Sequence, residues 1–197
     1  MKRVLLSVTA LALTLALFTG CGTIVEGFQE GLKEGLQESL GQSQSKDIGN
    51  DVQTITSDFS ALSVDFPKAW KTEALNDIAE IQMAQVSKEQ YMIVIEESSE
   101  DFDADFTLAD YTEIILYSME SAIETVEASA VADVAVGDGI SAKQFELTGS
   151  VNKIKVKYLV TCIETEGFFH QFTAWSLHSK YNDAKPVFDT ILNSISF

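Results

Sequence analysis

A chain of 197 residues with 30 acidic against 13 basic side chains carries a formal charge of −17, which repels phosphate backbones and excludes nucleic acid as a partner. The length is that of one domain with a sizeable core. Cys21 and Cys162 are the two cysteines, too few for a disulfide framework, so stability has to come from packing.

Lys2 and Arg3 precede an apolar run, Val4 to Phe18, that ends at Phe18-Thr19-Gly20-Cys21. A basic start, about 15 mostly apolar residues and small residues before a cut describe a secretory signal over residues 1–20, too short to span a bilayer. The small-small-Cys ending resembles bacterial lipoprotein signals, with Phe18 standing where Leu is usual. That resemblance implies a diacylglyceryl thioether on Cys21, which becomes the mature N-terminus. Ordinary secretion with a free Cys21 is the alternative. Lys2 and Arg3 leave with the signal, taking the basic residues to 11 against 30 acidic ones and the charge to near −19. Attachment to a membrane, facing the extracytoplasmic side of the cell envelope, is then expected from the lipid and not from a basic surface.

Residues 21–57 read as a lipid-anchored stalk and linker rich in Gly, Gln, Glu and Ser. Tetrads beginning at Glu26, Glu30, Glu34 and Glu38 repeat along it, placing Ile24, Phe28, Leu32, Leu36 and Leu40 four apart. On a helix these form a drifting apolar stripe, but three interior glycines cost roughly 0.8–1 kcal/mol each relative to alanine, so the segment is expected to order only when that stripe is covered. Ser43 to Ser57 reads as linker.

From Asp58 onward, residues 58–197 carry the pattern of a folded domain. Leu62 to Phe66 alternates like a half-buried strand closed by Pro67. Ile78 to Val86 and Tyr91 to Glu97 form a hairpin about Ser87 to Gln90, and Tyr91 to Ile95, apolar on both faces, belongs inside a covered sheet. Thr107 and Asp110 make a capping box for a helix whose apolar face is Leu108, Tyr111, Ile115, Met119, Ala122 and Val126. Gly137-Asp138-Gly139, Gly149 to Asn152 and Glu166-Gly167 then reverse the chain three times, which predicts an antiparallel meander. A last helix is capped by Asn182 or Asp183, with Pro186 in its first turn and Phe188, Ile191, Leu192 and Ile195 inward. Phe197 is expected to pack against the sheet.

Several signatures along this region resemble the PsbP-like proteins and the related DcrB-like bacterial lipoproteins. They are Phe66-Pro67 with Trp70, the charged stretch Glu96 to Asp105 before Thr107-Leu108-Ala109-Asp110-Tyr111, Ala142 to Glu146 after a glycine-bearing turn, Gly167-Phe168-Phe169 with Trp175, and Ser194-Ile195-Ser196-Phe197. The resemblance covers residues 58–197 and implies an α+β fold in which an antiparallel β-sheet is covered by helices on both faces, an α/β/α sandwich. It implies no enzymatic activity and a role as an accessory or binding subunit of a larger assembly.

Residue chemistry adds no catalytic site, metal site or cofactor. His170 and His178 lack ligand spacing, and His170 within an aromatic run reads as a satisfied structural histidine. Ser176 and His178 lack a nucleophile elbow, and the acidic run Glu96 to Asp105 lacks the glycine and ligand spacing of an EF-hand. Cys162 sits in an apolar run and reads as a buried thiol. Lys153, Lys155 and Lys157 alternate with apolar residues, so a strand places them on one face, either as a solvated surface or as a docking patch for an acidic partner. Two functions remain: a non-enzymatic, lipid-anchored envelope protein that binds or supports another envelope component, or a small-ligand or lipid-binding module with an apolar pocket near Phe168, Phe169, Phe172 and Trp175.

Overall fold

A computed structural model describes residues 51–197; Cys21 and the tetrad repeat lie outside the described residues. Ten strands are formed: β1 (Val52–Thr56), β2 (Ser63–Pro67), β3 (Lys71–Thr72), β4 (Ile81–Gln85), β5 (Gln90–Ser98), β6 (Glu124–Ala128), β7 (Ala132–Val136), β8 (Ile140–Val151), β9 (Ile154–Thr165) and β10 (Phe168–Leu177). Among the described residues two helices join them, α1 (Leu108–Ala122) and α2 (Tyr181–Leu192). The main sheet is antiparallel in the order β3-β4-β5-β10-β9-β8-β6, with β7 pairing the first half of β8, and β1-β2 form a separate hairpin. The consecutive pairings β7-β8-β9-β10 are the expected meander.

Strand alternation assigns the two faces of this sheet. On one face Met92, Val94, Ala142, Leu159, Ile163, Phe172 and Ala174 meet α2 and the β1-β2 hairpin, which add Leu62, Val64, Phe66, Trp70, Phe188 and Ile191. On the other, Phe145, Leu147, Val160, Cys162 and Phe169 meet Tyr111, Ile115 and Met119 of α1. Ala84, Tyr91, Ile93, Ile95, Val156 and Trp175 form a third cluster, against which Leu75, Ile78 and Ala79 pack. The sheet is therefore covered by a helix on each face, as the resemblance to PsbP-like proteins implies. Within it β5 is buried on both faces from Gln90 to Glu96.

Local signals hold at the start of α1 and fail at its end. Thr107 accepts from the Asp110 amide at 3.3 Å while Asp110 Oδ2 accepts from the Thr107 amide at 2.9 Å, closing the capping box. Removing such a cap costs about 1 kcal/mol. The helix was expected to reach Val126 but stops at Ala122, because Ile123, Thr125 and Val126 are β-branched and the chain gains more by pairing β6 with β8. At the other end of the chain α2 begins at Tyr181, with no side-chain cap and with Pro186 inside it, not in its first turn.

The linker expected through Ser57 ends earlier, since Val52–Thr56 pair with β2. These residues alternate between exposed and half-buried, and Ile55 packs against the α2-side core; four of the five are β-branched, which is strand composition within the expected linker. A chain starting at Asp51 is accordingly expected to melt at the temperature of the full chain, unaffected by reductant or chelator. One starting at Asp58 should melt lower, having lost β1 and the Ser57 hydroxyl; equal melting of the two by circular dichroism would show that β1 contributes nothing.

Gly137 closes the β7-β8 turn at φ +51, and a Cβ there would lie 2.3 Å from the Ile195 carbonyl oxygen. Only glycine allows the end of α2 to approach the turn so closely, and the Gly137 amide donates to the Leu192 carbonyl at 3.2 Å.

Candidate functional site

The end of the sheet where β5 finishes and β10 begins carries a buried polar cluster. Glu96 lies opposite His170 in the β5-β10 register, and both side chains point to the α2 face. Glu96 Oε1 meets His170 Nδ1 at 2.8 Å and accepts from Ser60 Oγ at 2.6 Å, while Oε2 accepts from Ser57 Oγ. On the far side of the ring, His170 Nε2 is 2.8 Å from Thr165 Oγ1. Facing a carboxylate, Nδ1 is the protonated donor, which leaves Nε2 of a neutral ring to accept from the threonine hydroxyl. Burial raises the Glu96 carboxyl's pKa, but the bonds from His170, Ser57 and Ser60 outweigh it and hold the group below its ordinary 4.5.

The same serines organise the loop after β1. Ser57 Oγ accepts from the amides of Phe59 at 2.9 Å and Ser60 at 3.3 Å, and Ser60 Oγ accepts from the Leu62 amide at 3.1 Å. Each hydroxyl thus donates inward to Glu96 and accepts from its own loop, so the loop's path is fixed by the buried carboxylate. Phe59, at its tip, is thrust outward. It is 49% exposed and meets the Phe168 ring edge-on at 5.4 Å, with Phe168 next to His170 at 6.1 Å and Phe197 over His170 at 4.8 Å. Phe197 lies against the sheet as expected, over the His170 imidazole, while its outer side stays open: it is 45% exposed, with Ser196 before it paired to Ser63. A row of aromatic rings over a buried Glu-His pair results.

His170 is fully buried and satisfied, the structural histidine the sequence implies. Its partner was not legible: Glu96 lies 74 positions upstream and heads the charged stretch Glu96 to Asp105. The available signal is that Glu96 directly continues the doubly apolar run Tyr91 to Ile95, where a carboxylate has to find donors. Its neighbour Glu97 turns to the opposite face and accepts from Tyr111 Oη at 2.7 Å; there burial dominates and holds the Glu97 carboxyl above its ordinary pKa.

The other sequence candidates separate. Phe168 and Phe172 project to the α2 face and Phe169 and Trp175 to the α1 face, as period-two alternation requires. Phe169 stacks on Tyr111 at 4.8 Å, Trp175 stacks on Tyr91 at 5.4 Å, and Phe172 is buried near α2. These four cannot line one pocket, so the pocket reading of residues 168–175 is corrected. An open groove of about 360 Å³ lies elsewhere, between α1 and β8, lined by Ala109, Thr112, Glu113, Leu116, Val131 and Lys143.

The three lysines do not form the expected strand face. Asn152 and Lys153, at φ 51 and 69, are the two central residues of the β8-β9 turn, so Lys153 precedes the strand. Lys155 is exposed on β9, whereas Lys157 is engaged: its ammonium is 2.7 Å from Glu146 and 4.5 Å from the centre of the Tyr181 ring. Tyr181 Oη also donates to Glu146 at 3.0 Å, and these bonds outweigh burial to hold the Glu146 carboxyl below its ordinary pKa. Lys157 therefore fastens α2 to the sheet. Cys162 is fully buried and burial pushes its thiol up to about 12, the inert state expected. Among the described residues no three His, Cys, Asp or Glu side chains gather as a metal site, and no helix is long and apolar enough to cross a membrane.

A twisted antiparallel sheet carrying one helix on each face, with a meander at its centre, defines an α+β sandwich. Among solved structures, that of the cyanobacterial PsbP protein CyanoP from Synechocystis sp. PCC 6803 superposes with a TM-score of 0.57 at 15% identity, covering 80% of this chain and 98% of that one. LpqN, involved in cell envelope biogenesis of Mycobacterium tuberculosis, gives 0.53 at 14% identity over 75% of this chain and 86% of its own. The Ran-binding protein Mog1p of Saccharomyces cerevisiae gives 0.52 at 10% identity over 74% and 94%. The domain thus has the PsbP-like fold, and at these identities the likeness is one of fold alone. No family model and no curated protein matches the sequence.

Proposed function

We propose that this is a non-enzymatic binding protein of the cell envelope, held by lipid on Cys21 to the extracytoplasmic side of a membrane, whose PsbP-like domain binds or supports another envelope component. The observation that carries the reading is the dispersal of Phe169, Phe172 and Trp175 into separate packed clusters. With those three side chains committed to the core, binding falls to the surface, where Phe168 stays half-buried. The polar cluster beneath that surface supports the same reading. Its imidazole is sealed from solvent and its carboxylate is occupied by three donors, so neither is presented to a substrate. The role in envelope biogenesis of LpqN, which shares the fold, agrees with this placement.

The anchor is tested by Cys21→Ser. Wild type should incorporate labelled palmitate and fractionate with membranes, while the variant should lose the label and either persist as precursor or appear in the soluble fraction. Processing and membrane retention equal to wild type would refute the lipid anchor. Native mass spectrometry of the soluble domain tests the binding mode: a retained small ligand or lipid would restore the pocket alternative.

A further inference from the structure

We infer that the aromatic row at this end of the sheet is the docking surface of the domain, and that its partner is a cationic polypeptide segment presenting apolar side chains flanked by lysine or arginine. The inference rests on the binding-module reading above and adds the surface and the chemistry of what it holds. Phe59 and Phe197 are each nearly half exposed and stand on either side of Phe168 and His170 in one continuous row. Phe59 is held in place by the buried carboxylate, which fixes its loop through Ser57 and Ser60, and Phe197 rests on the imidazole bonded to that carboxylate. A rigid exposed aromatic loses little entropy on binding.

Charge selects the partner. Asp58 adjoins Phe59, and Glu166 occupies the turn that leads into Phe168. The short turn bearing Glu100 is bonded to that same reversal, the Ser99 amide donating to the Gly167 carbonyl at 2.9 Å. All three carboxylates are exposed. The strand register puts Lys88, Lys153, Lys155 and Lys180 at the opposite end of the sheet. Lys143, on the patch's half of β8, is paired with Asp133 at 2.7 Å. An apolar surface with an acidic rim accepts an apolar side chain against its rings and an ammonium or guanidinium over a ring face or against the rim.

Other occupants meet repulsion. A second copy docking through the same patch would set the acidic rim against itself, and an anionic membrane would be repelled likewise. The chain's own tetrads carry Glu26, Glu30, Glu34 and Glu38 against Lys33. The segment preceding residue 51 also joins β1 at the end remote from Phe59, about 17 Å away along the strand.

The test uses the full chain and a fluorescein-labelled peptide in which two phenylalanines are flanked on each side by two lysines, followed by anisotropy at low and high salt. Wild type should bind, and more weakly as salt rises. Phe59→Ser combined with Phe197→Ser should weaken binding about tenfold, as should Asp58→Lys combined with Glu166→Lys. Tyr117→Ser, which alters an aromatic of α1 that is 66% exposed, should leave binding unchanged. Each variant changes exposed side chains, and an unchanged melting temperature confirms that it is folded. Equal binding of a glutamate-flanked peptide, binding unaffected by both double variants, a dimer that the patch variants abolish, or patch-dependent binding to anionic vesicles would each overturn the inference. A photocrosslinker at position 59 and another at position 117, used on intact envelopes, separate this failure from that of the parent reading. A crosslink at 117 alone would discard this surface and keep the binding function, whereas none at either position would count against both.

Discussion

Replacing Glu96 with alanine is expected to lower the stability of the domain by about 3–5 kcal/mol, the cost of leaving the partner of a buried ionic or strongly polar pair without its acceptor. Three donors depend on this one carboxylate, from Ser57, Ser60 and His170, and of these Ser57 and His170 are buried away from water. The urea midpoint should fall accordingly, and the signal of Phe59 should lose its contacts with Phe168. Glu96→Gln should cost less, because it keeps a carbonyl acceptor in place. The pH dependence separates charge from shape. The Glu96 carboxyl is held below its ordinary 4.5 in the folded state, so its contribution is complete above that value and disappears as the pH falls through the lower, folded pKa. Wild type should therefore lose stability more steeply than Glu96→Gln as the pH falls below the ordinary carboxylate value of 4.5. Glu146, also held below its ordinary value, titrates in both proteins and cancels in the comparison. Parallel pH profiles would mean that the carboxylate's charge contributes nothing to the cluster.

Elements whose signals are local were readable before the structure. The doubly apolar run Tyr91 to Ile95 demanded a covered strand, and Thr107 with Asp110 wrote its capping box within four residues. The end of α1 was not readable in this way, because Ile123 to Val126 continues the helical period and only the partner strand β8 decides that it is extended. The polar cluster lies further from sequence still. Ser57 falls in the expected linker and Glu96 at the head of the charged stretch Glu96 to Asp105, and what joins them to His170 is the register of β5 against β10 together with the return of the β1-β2 hairpin over the sheet. The aromatics are a different case. Counting by twos along Phe168 to Trp175 is enough to divide them between faces, so the information that argues against a shared pocket is in the sequence, in a periodicity that hydrophobicity alone does not weigh. The lysines show the same sensitivity: β8 runs on to Val151 and the chain reverses at Asn152-Lys153 instead of Gly149 to Asn152, which takes Lys153 off the strand and leaves Lys155 and Lys157 with different neighbours.

Trp70 is the expected centre of stability on the α2 side. It is completely buried, 5.7 Å from the Phe66 ring and 6.3 Å from that of Phe188, and so joins the β1-β2 hairpin to α2. Trp70→Ala should cost about 3–5 kcal/mol, from the lost apolar burial and the cavity left between two elements that cannot collapse independently. The indole Nε1 finds no acceptor among the described residues, so the nitrogen contributes only a desolvation cost, and the residue's stabilisation comes from its volume. Trp70→Phe should accordingly retain most of the stability, since it removes an unsatisfied donor along with some of the packing. If Trp70→Phe proved as damaging as Trp70→Ala, the indole N–H would have to be hydrogen-bonded in solution, and the hairpin would be held to α2 by that bond as well as by packing.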